Sequence, residues 1–344
     1  MNDNTATMPQ QMPPEAILSQ MLWGGLIQQS IYAVTKLGVA DLLAEKSQTA
    51  DELALQTNMH APSLYRVLRT LASVGIFAEN ADGRFELTPI AAPLCSDAPN
   101  SMRDFALMLG GEWHWRMFGE LMHSVKTGAT AQDKACGAEL FEYLANNPED
   151  AKVFNRAMTS HSLAAVPAIV EGYDFSSIGK LVDIGGGQGI LLAGILKANP
   201  QAQGILFDMP SVIAGESGLL EKEGVTARVE KNSGDFFQSV PADADAYVMK
   251  HIIHDWDDEQ SIKILQNIHS AMNENGKVLI VEMVVPEGNE LSPSKILDLQ
   301  MLIGTGGKER TEKEYRKLLE AADFRLIRVI PTRSPLSIVE AIKN

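Results

Sequence analysis

Two hydrophobic rhythms follow one another along the chain. From Glu15 to about residue 172 apolar positions recur mostly three and four residues apart, the spacing of amphipathic helices. Beyond it, short apolar runs alternate with helical stretches, which predicts βαβ units feeding a parallel sheet. Strands are expected over residues 180–184, 204–208, 227–231, 245–250, 277–283, 324–331 and 336–343, the last two as an antiparallel pair around a turn at 332–335. The expected fold class is α/β, a Rossmann-like seven-stranded domain preceded by a mainly α domain. Within the helical half, Thr49 and Asp51 open a helix over 50–56 and Ala61-Pro62-Ser63 opens another. Leu64, Val67, Leu68 and Leu71 stripe that second helix, and Gly75 ends it. Two strand-like stretches, 75–79 and 84–87, then flank Asn80-Ala81-Asp82-Gly83, so that helix, helix and hairpin make a winged-helix pattern. The division expected is a disordered tail over 1–14, a helical domain over 15–170 and an α/β domain over 171–344.

The first chemical signal lies where the first strand of the α/β half ends. Leu181-Val182-Asp183-Ile184 runs into Gly185-Gly186-Gly187-Gln188-Gly189 and then a helical Ile190-Leu191-Leu192-Ala193. Such a loop lets backbone approach a ligand closely and aims the free N–H groups of a helix start at it. Asp208 ends the next strand about 20 residues on, where an acid can take both hydroxyls of a ribose. A dinucleotide fingerprint needs glycine where Ile190 stands, whereas Gly185, Gly187 and Gly189 satisfy G-x-G-x-G, which makes NAD the weaker choice of nucleoside cofactor. Asp183 either meets a ligand ammonium or satisfies loop amides. Asp235, beside Phe236 and Phe237, either faces an adenine or caps the next helix.

The second signal follows the fourth strand, in Lys250-His251-Ile252-Ile253-His254-Asp255-Trp256-Asp257-Asp258. His251, His254 and the aspartates can be metal ligands, or His254 can be a general base with Asp257 and Asp258 opening the next helix; acids favour a helix's first turn, which supports the second reading. Glu282 closes an otherwise apolar fifth strand and is expected to accept from one imidazole nitrogen and fix the tautomer. Glu309 is a second candidate for that place.

Charge and cysteine content narrow the partners. Lys plus Arg number 29 against 44 Asp plus Glu, a formal charge of -15, which disfavours nucleic acid and anionic membrane surfaces. Arg66 and Arg69 are the only basic residues on the would-be recognition helix, too few to track phosphates. Two cysteines, Cys95 and Cys136, and no apolar run long enough to span a bilayer suggest a cytoplasmic protein.

Together these segments resemble the S-adenosylmethionine-dependent small-molecule O-methyltransferases. The resemblance runs through Leu181 to Gly187, Phe207-Asp208-Met209-Pro210, Gly234-Asp235-Phe236-Phe237, Lys250 with His254-Asp255-Trp256, and Gly306-Gly307-Lys308-Glu309-Arg310-Thr311. It implies S-adenosylmethionine as cofactor, S-adenosylhomocysteine as product, and no metal. Gly185 and Gly187 would hold the methionine end with Asp183, Asp208 the ribose, and Asp235 with Phe236 the adenine, with Lys250 lining the pocket. His254 would be the base, bracketed by Glu282 and Glu309. Phe154, Met158 and Met301 match positions that wall the acceptor pocket, which Trp113 can extend. The winged helix would serve homodimerisation and the acceptor would be a small aromatic or polyketide-type hydroxyl compound. An N-acceptor, or a winged-helix regulator with a nucleoside-sensing domain, stand as alternatives.

Overall fold

Side-chain caps set where several elements begin. Thr49 with Glu52, and Thr311 with Glu314, form capping boxes, each side chain satisfying a backbone donor of the other residue. Asp257 accepts from the Gln260 N–H and starts the helix that follows the His254 segment. The computed structural model describes residues 13–99, 101–215 and 218–344. The tail expected over 1–14 lies outside the described residues except for Pro13 and Pro14, and Pro14 is already the first residue of a helix.

The described residues form two compact units, divided between Gly111 and Glu112. The first holds α1 (Pro14–Leu22), α2 (Gly24–Lys36), α3 (Val39–Glu45), β1 (Gln48–Thr49), α4 (Ala50–Thr57), α5 (Ala61–Ser73), β2 (Phe77–Glu79), β3 (Arg84–Leu87) and α6 (Arg103–Gly110). Its three strands pair antiparallel in the order β1-β3-β2. Leu53, Leu64, Leu68, Leu71, Phe77 and Phe85 form its core. Outside that core, α1, Trp23 and the start of α2 expose Leu18, Met21, Leu22, Trp23 and Leu26, each more than half accessible. Large exposed apolar side chains grouped in one stretch of chain are characteristic of interaction surfaces.

The second unit begins with α7 (Glu112–Gly119), α8 (Leu121–Thr127), α9 (Ala131–Cys136), α10 (Leu140–Asn146) and α11 (Pro148–Gly172). Its division from the first unit thus falls well before residue 170, where the rhythm changes. Periodicity reports the conformation of a segment and not its packing partner, and α11 packs along α12. There follow β4 (Lys180–Ile184), α12 (Ile190–Ala198), β5 (Gln203–Asp208), α13 (Pro210–Ala214), α14 (Leu219–Lys222), β6 (Val229–Ser233), β7 (Ala246–Lys250) and α15 (Asp258–Ala271). The chain ends with β8 (Lys277–Glu282), α16 (Pro293–Gly304), α17 (Glu312–Ala321), β9 (Phe324–Pro331) and β10 (Ser337–Lys343).

Among the described residues seven strands form one sheet in the order β6-β5-β4-β7-β8-β10-β9. The first five are parallel, and β10 runs antiparallel to both β8 and β9. The expected last pair forms, and its final strand inserts inside the sheet. β6 starts at Val229 and not at residue 227, because Thr226–Arg228 is a 3-10 turn in which Arg228 donates to the Leu196, Asn199 and Ala202 carbonyls. Period-two alternation sends Leu181, Leu206, Val248 and Leu279 to one face with α11 and α12. Val182, Ile205, Tyr247 and Ile280 face the other way, against α15 and α17. No helix among the described residues is long and apolar enough to cross a membrane. The strand order reverses between β4 and β7, and the carboxyl ends of strands at such a switch point border the crevice where these sheets bind ligands.

Candidate active site

Both motifs meet at that crevice. After β4 the chain turns with Gly185, Gly187 and Gly189 at φ of 63°, 58° and 76°, the left-handed region that glycine alone enters without strain. The Gly187 N–H donates to Asp208 Oδ2 at 2.8 Å and the Met209 N–H to Asp208 Oδ1 at 2.7 Å, so the end of β5 locks the loop. A Cβ on Gly187 would meet nothing within 4 Å, which leaves open space beside the loop. Beneath it Asp183 is 1 % exposed and its Oδ2 has no hydrogen-bond partner. Burial pushes its carboxyl up to about 7, opposed by the charge of Lys250. Burial likewise draws the Lys250 ammonium down to about 8, against Asp183, Glu282 and Asp255.

A glycine cradle with free space at Gly187, above a buried carboxylate with one oxygen unpaired, fits the amino-acid end of S-adenosylmethionine. Asp208 can accept further hydrogen bonds, a carboxylate having about four lone-pair sites. Asp235 is exposed and accepts from the Phe237 N–H at 2.9 Å and Gln238 Nε2 at 3.2 Å, so it caps its own turn. Phe236 stands edge-on to Phe237 and Trp256.

The second half is built around His254, 6 % exposed on a 3-10 turn after β7. Its Nδ1 lies 2.6 Å from Glu309 Oε1, which leaves Nε2, 3.7 Å from Asp255 Oδ1, as the other ring nitrogen. Glu282 is not the imidazole's partner. Its Oε1 accepts the backbone N–H groups of Ile252 and His254, both at 3.1 Å, and its Oε2 takes the Tyr315 hydroxyl. The difference arises because His251, at φ 56°, turns the chain across the end of β8, so that backbone and not the ring faces Glu282. Arg310, fully buried, closes the turn from behind. It donates to the Ile253 and Trp256 carbonyls at 3.0 Å each and holds Asp258 at 2.8 Å. Gly307 packs against the same turn so tightly that a Cβ would lie 2.0 Å from the His254 oxygen.

Burial alone would lower the imidazole's pKa. Asp255, the Glu309 hydrogen bond and Glu282 outweigh it and raise His254 to about 9. Burial in turn raises the Asp255 carboxyl to about 6, opposed by the charge of His254. Among the described residues no group of three or more His, Cys, Asp or Glu is disposed to hold a metal ion.

The crevice brings together Asp183, Gly185, Gly187, Asp208, Lys250, His254, Glu282 and Glu309. Phe154 and Met158 lie half-buried on α11, and Met301 is buried on α16. Trp113 is buried on α7, its ring against His114 and Tyr143. Sequence pattern does not mark Arg310 or Tyr315, since a charged residue and an amphipathic tyrosine at a helix start read as ordinary surface and core. His251 carried one signal, its place beside the presumed base.

An O-methyltransferase domain model matches residues 118–325, and an O-methyltransferase dimerisation domain model matches residues 20–97. The chain belongs to the O-methyltransferase family. It is an S-adenosylmethionine-dependent O-methyltransferase with a mainly helical dimerisation region. The chain is 47% identical over 330 residues to phenazine O-methyltransferase PhzM of Lysobacter antibioticus, covering 96% of each. A solved structure of LaPhzM matches with a TM-score of 0.92 at 46% identity, over 97% of this chain and 100% of that one. The O-methyltransferase NcsB1 of neocarzinostatin biosynthesis, solved with S-adenosylmethionine and 2-hydroxy-5-methyl naphthoic acid, matches at 0.81 and 32% identity, over 92% and 96%.

Proposed function

We propose that this O-methyltransferase methylates a phenolic hydroxyl on a fused-ring aromatic secondary metabolite, with His254 as general base. The observation that carries the reading is the Nδ1 to Glu309 contact of 2.6 Å at a carboxyl-end crevice shared with the glycine loop. S-adenosylmethionine supplies the electrophilic methyl group when bound. A phenol has a pKa near 10 and is a weak nucleophile until its proton leaves. His254 Nε2 takes that proton, while Glu309 holds the tautomer and stabilises the imidazolium that results. Glu282 acts on the same group indirectly, by holding the backbone N–H groups of the turn that carries it. Asp183 receives an ammonium, Gly185 and Gly187 allow close backbone approach, and Asp208 takes ribose hydroxyls. Asp235 and Phe236 border an adenine, and Lys250 borders the cofactor.

Phe154, Met158, Met301 and Trp113 wall an apolar acceptor pocket. Relatives that act on a phenazine and bind a hydroxynaphthoic acid support a flat, polycyclic acceptor. The unit that ends at Gly111 carries the winged-helix homodimerisation part, and the unit that begins at Glu112 carries the acceptor and cofactor parts. The exposed apolar face of α1 and α2 supports a homodimer, and two free cysteines suit the reducing cytoplasm. A methyl-transfer screen over phenols, hydroxyphenazines and hydroxynaphthoic acids tests the proposal, with product mass and fragmentation locating the new methyl. A methyl appearing on nitrogen would overturn the phenolic acceptor.

A further inference from the structure

His251 lies between the two halves of the site and serves neither in the account above. Its backbone is left-handed at φ 56°, a conformation that non-glycine residues keep only where surrounding structure enforces it, often at functional sites. Its N–H donates to the Val281 carbonyl at 3.3 Å, so the turn is anchored to β8. Both ring nitrogens are buried and neither has a hydrogen-bond partner. Buried polar atoms in folded proteins are paired, and an exception calls for an explanation. The ring faces His254 at a centroid distance of 4.7 Å and 30°, and His161 of α11 at 5.4 Å and 46°. Three imidazoles thus stand in a row whose far member is the proposed base.

We propose that His251 receives a second polar atom of the acceptor, an uncharged ring nitrogen or hydroxyl placed peri or ortho to the hydroxyl that faces His254. The inference rests on His254 as the base: the His251 ring lies 4.7 Å from that ring and is tilted to it by 30°, close enough for the two to serve neighbouring positions of one flat molecule. Burial first, then the charges of Lys250, His254 and His161, hold the His251 pKa well below its ordinary value. A neutral imidazole has one donor and one acceptor nitrogen, so it suits a ring nitrogen or a hydroxyl. Burial also lowers the His161 pKa, so neither His161 nor His251 favours a carboxylate beside it. His251 is in this account a specificity-determining contact, and the proton still leaves through His254.

The test is calorimetric titration of the full chain, saturated with S-adenosylhomocysteine, with 1-hydroxyphenazine and with 2-hydroxyphenazine. The two isomers share their rings and differ in whether the hydroxyl lies beside a ring nitrogen. The wild type is expected to bind the 1-isomer at least about tenfold more tightly, as befits a site that loses one hydrogen bond to the other isomer. His251→Gly keeps the left-handed backbone without the ring, and should bring the two isomers within about twofold of each other. His251→Asn tolerates the same backbone, supplies an amide donor, and should restore part of the preference. Equal binding of the isomers by the wild type, binding of neither, or a preference that survives in His251→Gly overturns the inference. Failure of the wild type to bind S-adenosylhomocysteine would instead overturn the methyltransferase reading of the crevice. An unchanged affinity for S-adenosylhomocysteine in both variants separates loss of the contact from loss of fold.

Discussion

The glycine loop and the His254 turn sit at neighbouring strand ends, yet they are built in different ways. The loop comes from one stretch of chain, residues 183–189, completed by Asp208 at the end of the next strand in sequence. The His254 turn needs Glu282 of β8, Glu309 and Arg310 before α17, and Tyr315 within it. Backbone amides and glycine torsions do the work in the first, and side chains from distant parts of the chain in the second. A site of the first kind is set mainly by local conformation. One of the second kind depends on tertiary packing, and its residues should respond to mutation as a coupled group.

The largest expected effect separates the two halves outright. His254→Ala should lower kcat by about 10² to 10⁴ while leaving S-adenosylhomocysteine affinity unchanged by calorimetry. An unimpaired rate would remove the general-base assignment. Glu309→Gln should cost on the order of 10² in kcat, since an amide can hold the wrong tautomer and lacks the charge that favours the imidazolium. If kcat stays near wild type, Glu309 does not orient the base.

The pH profile sharpens the same contrast. His254 must be neutral to accept a proton, so kcat/KM should rise with pH toward the free protein's value of about 9. Glu309→Gln removes two influences that raise this value, so its limb should move to lower pH. A limb that stays in place in the variant would separate it from His254. The sign for stability is opposite. A histidine raised above its unfolded value of 6.5 contributes stability fully below that pH, and the contribution is lost as pH rises through about 9. Thermal melts from pH 6 to 9.5 should therefore show wild type losing more stability than His254→Ala.

On the loop side, Gly187→Ala has room for its methyl but not the right torsion, at φ 58°. A strain of about 1–3 kcal/mol should appear as weaker S-adenosylhomocysteine binding and a higher KM for S-adenosylmethionine, with kcat little changed. A fall in kcat alone would mean that the two halves are not separable. The smallest effect on rate is expected from Tyr315→Phe, which leaves a Glu282 oxygen without its hydroxyl donor. It should lower unfolding stability by about 1–3 kcal/mol in denaturant titrations. Loss of cofactor binding there would contradict the indirect role of Glu282.

The same contrast explains how much could be read from the chain. Strand positions, the helix starts at Thr49 and Asp257, and the glycine loop depend on residues within a few positions of one another. They were legible as spacing. The partner of His254 was not, because Glu282 and Glu309 are equally plausible carboxylates on paper. Which one meets the ring depends on the reversal at His251. The insertion of β10 between β8 and β9 was hidden for a related reason, since an alternating strand carries no mark of its neighbours. The division at Gly111 was hidden too, because α7–α11 have the same helical period whichever unit they join.

Sequence by itself determined the two rhythms, the seven strands, the glycine loop with Asp208 about 20 residues on, and the histidine after β7. These follow from short-range torsional preference and hydrophobic period. Tertiary structure alone decided that Glu309 takes the imidazole while Glu282 takes the backbone, that Arg310 is fully buried behind the turn, and that two nitrogens of His251 face no protein partner. Hydrogen bonds between side chains far apart in sequence depend on angles and distances of a fraction of a bond length, and only the packed sheet and helices fix those.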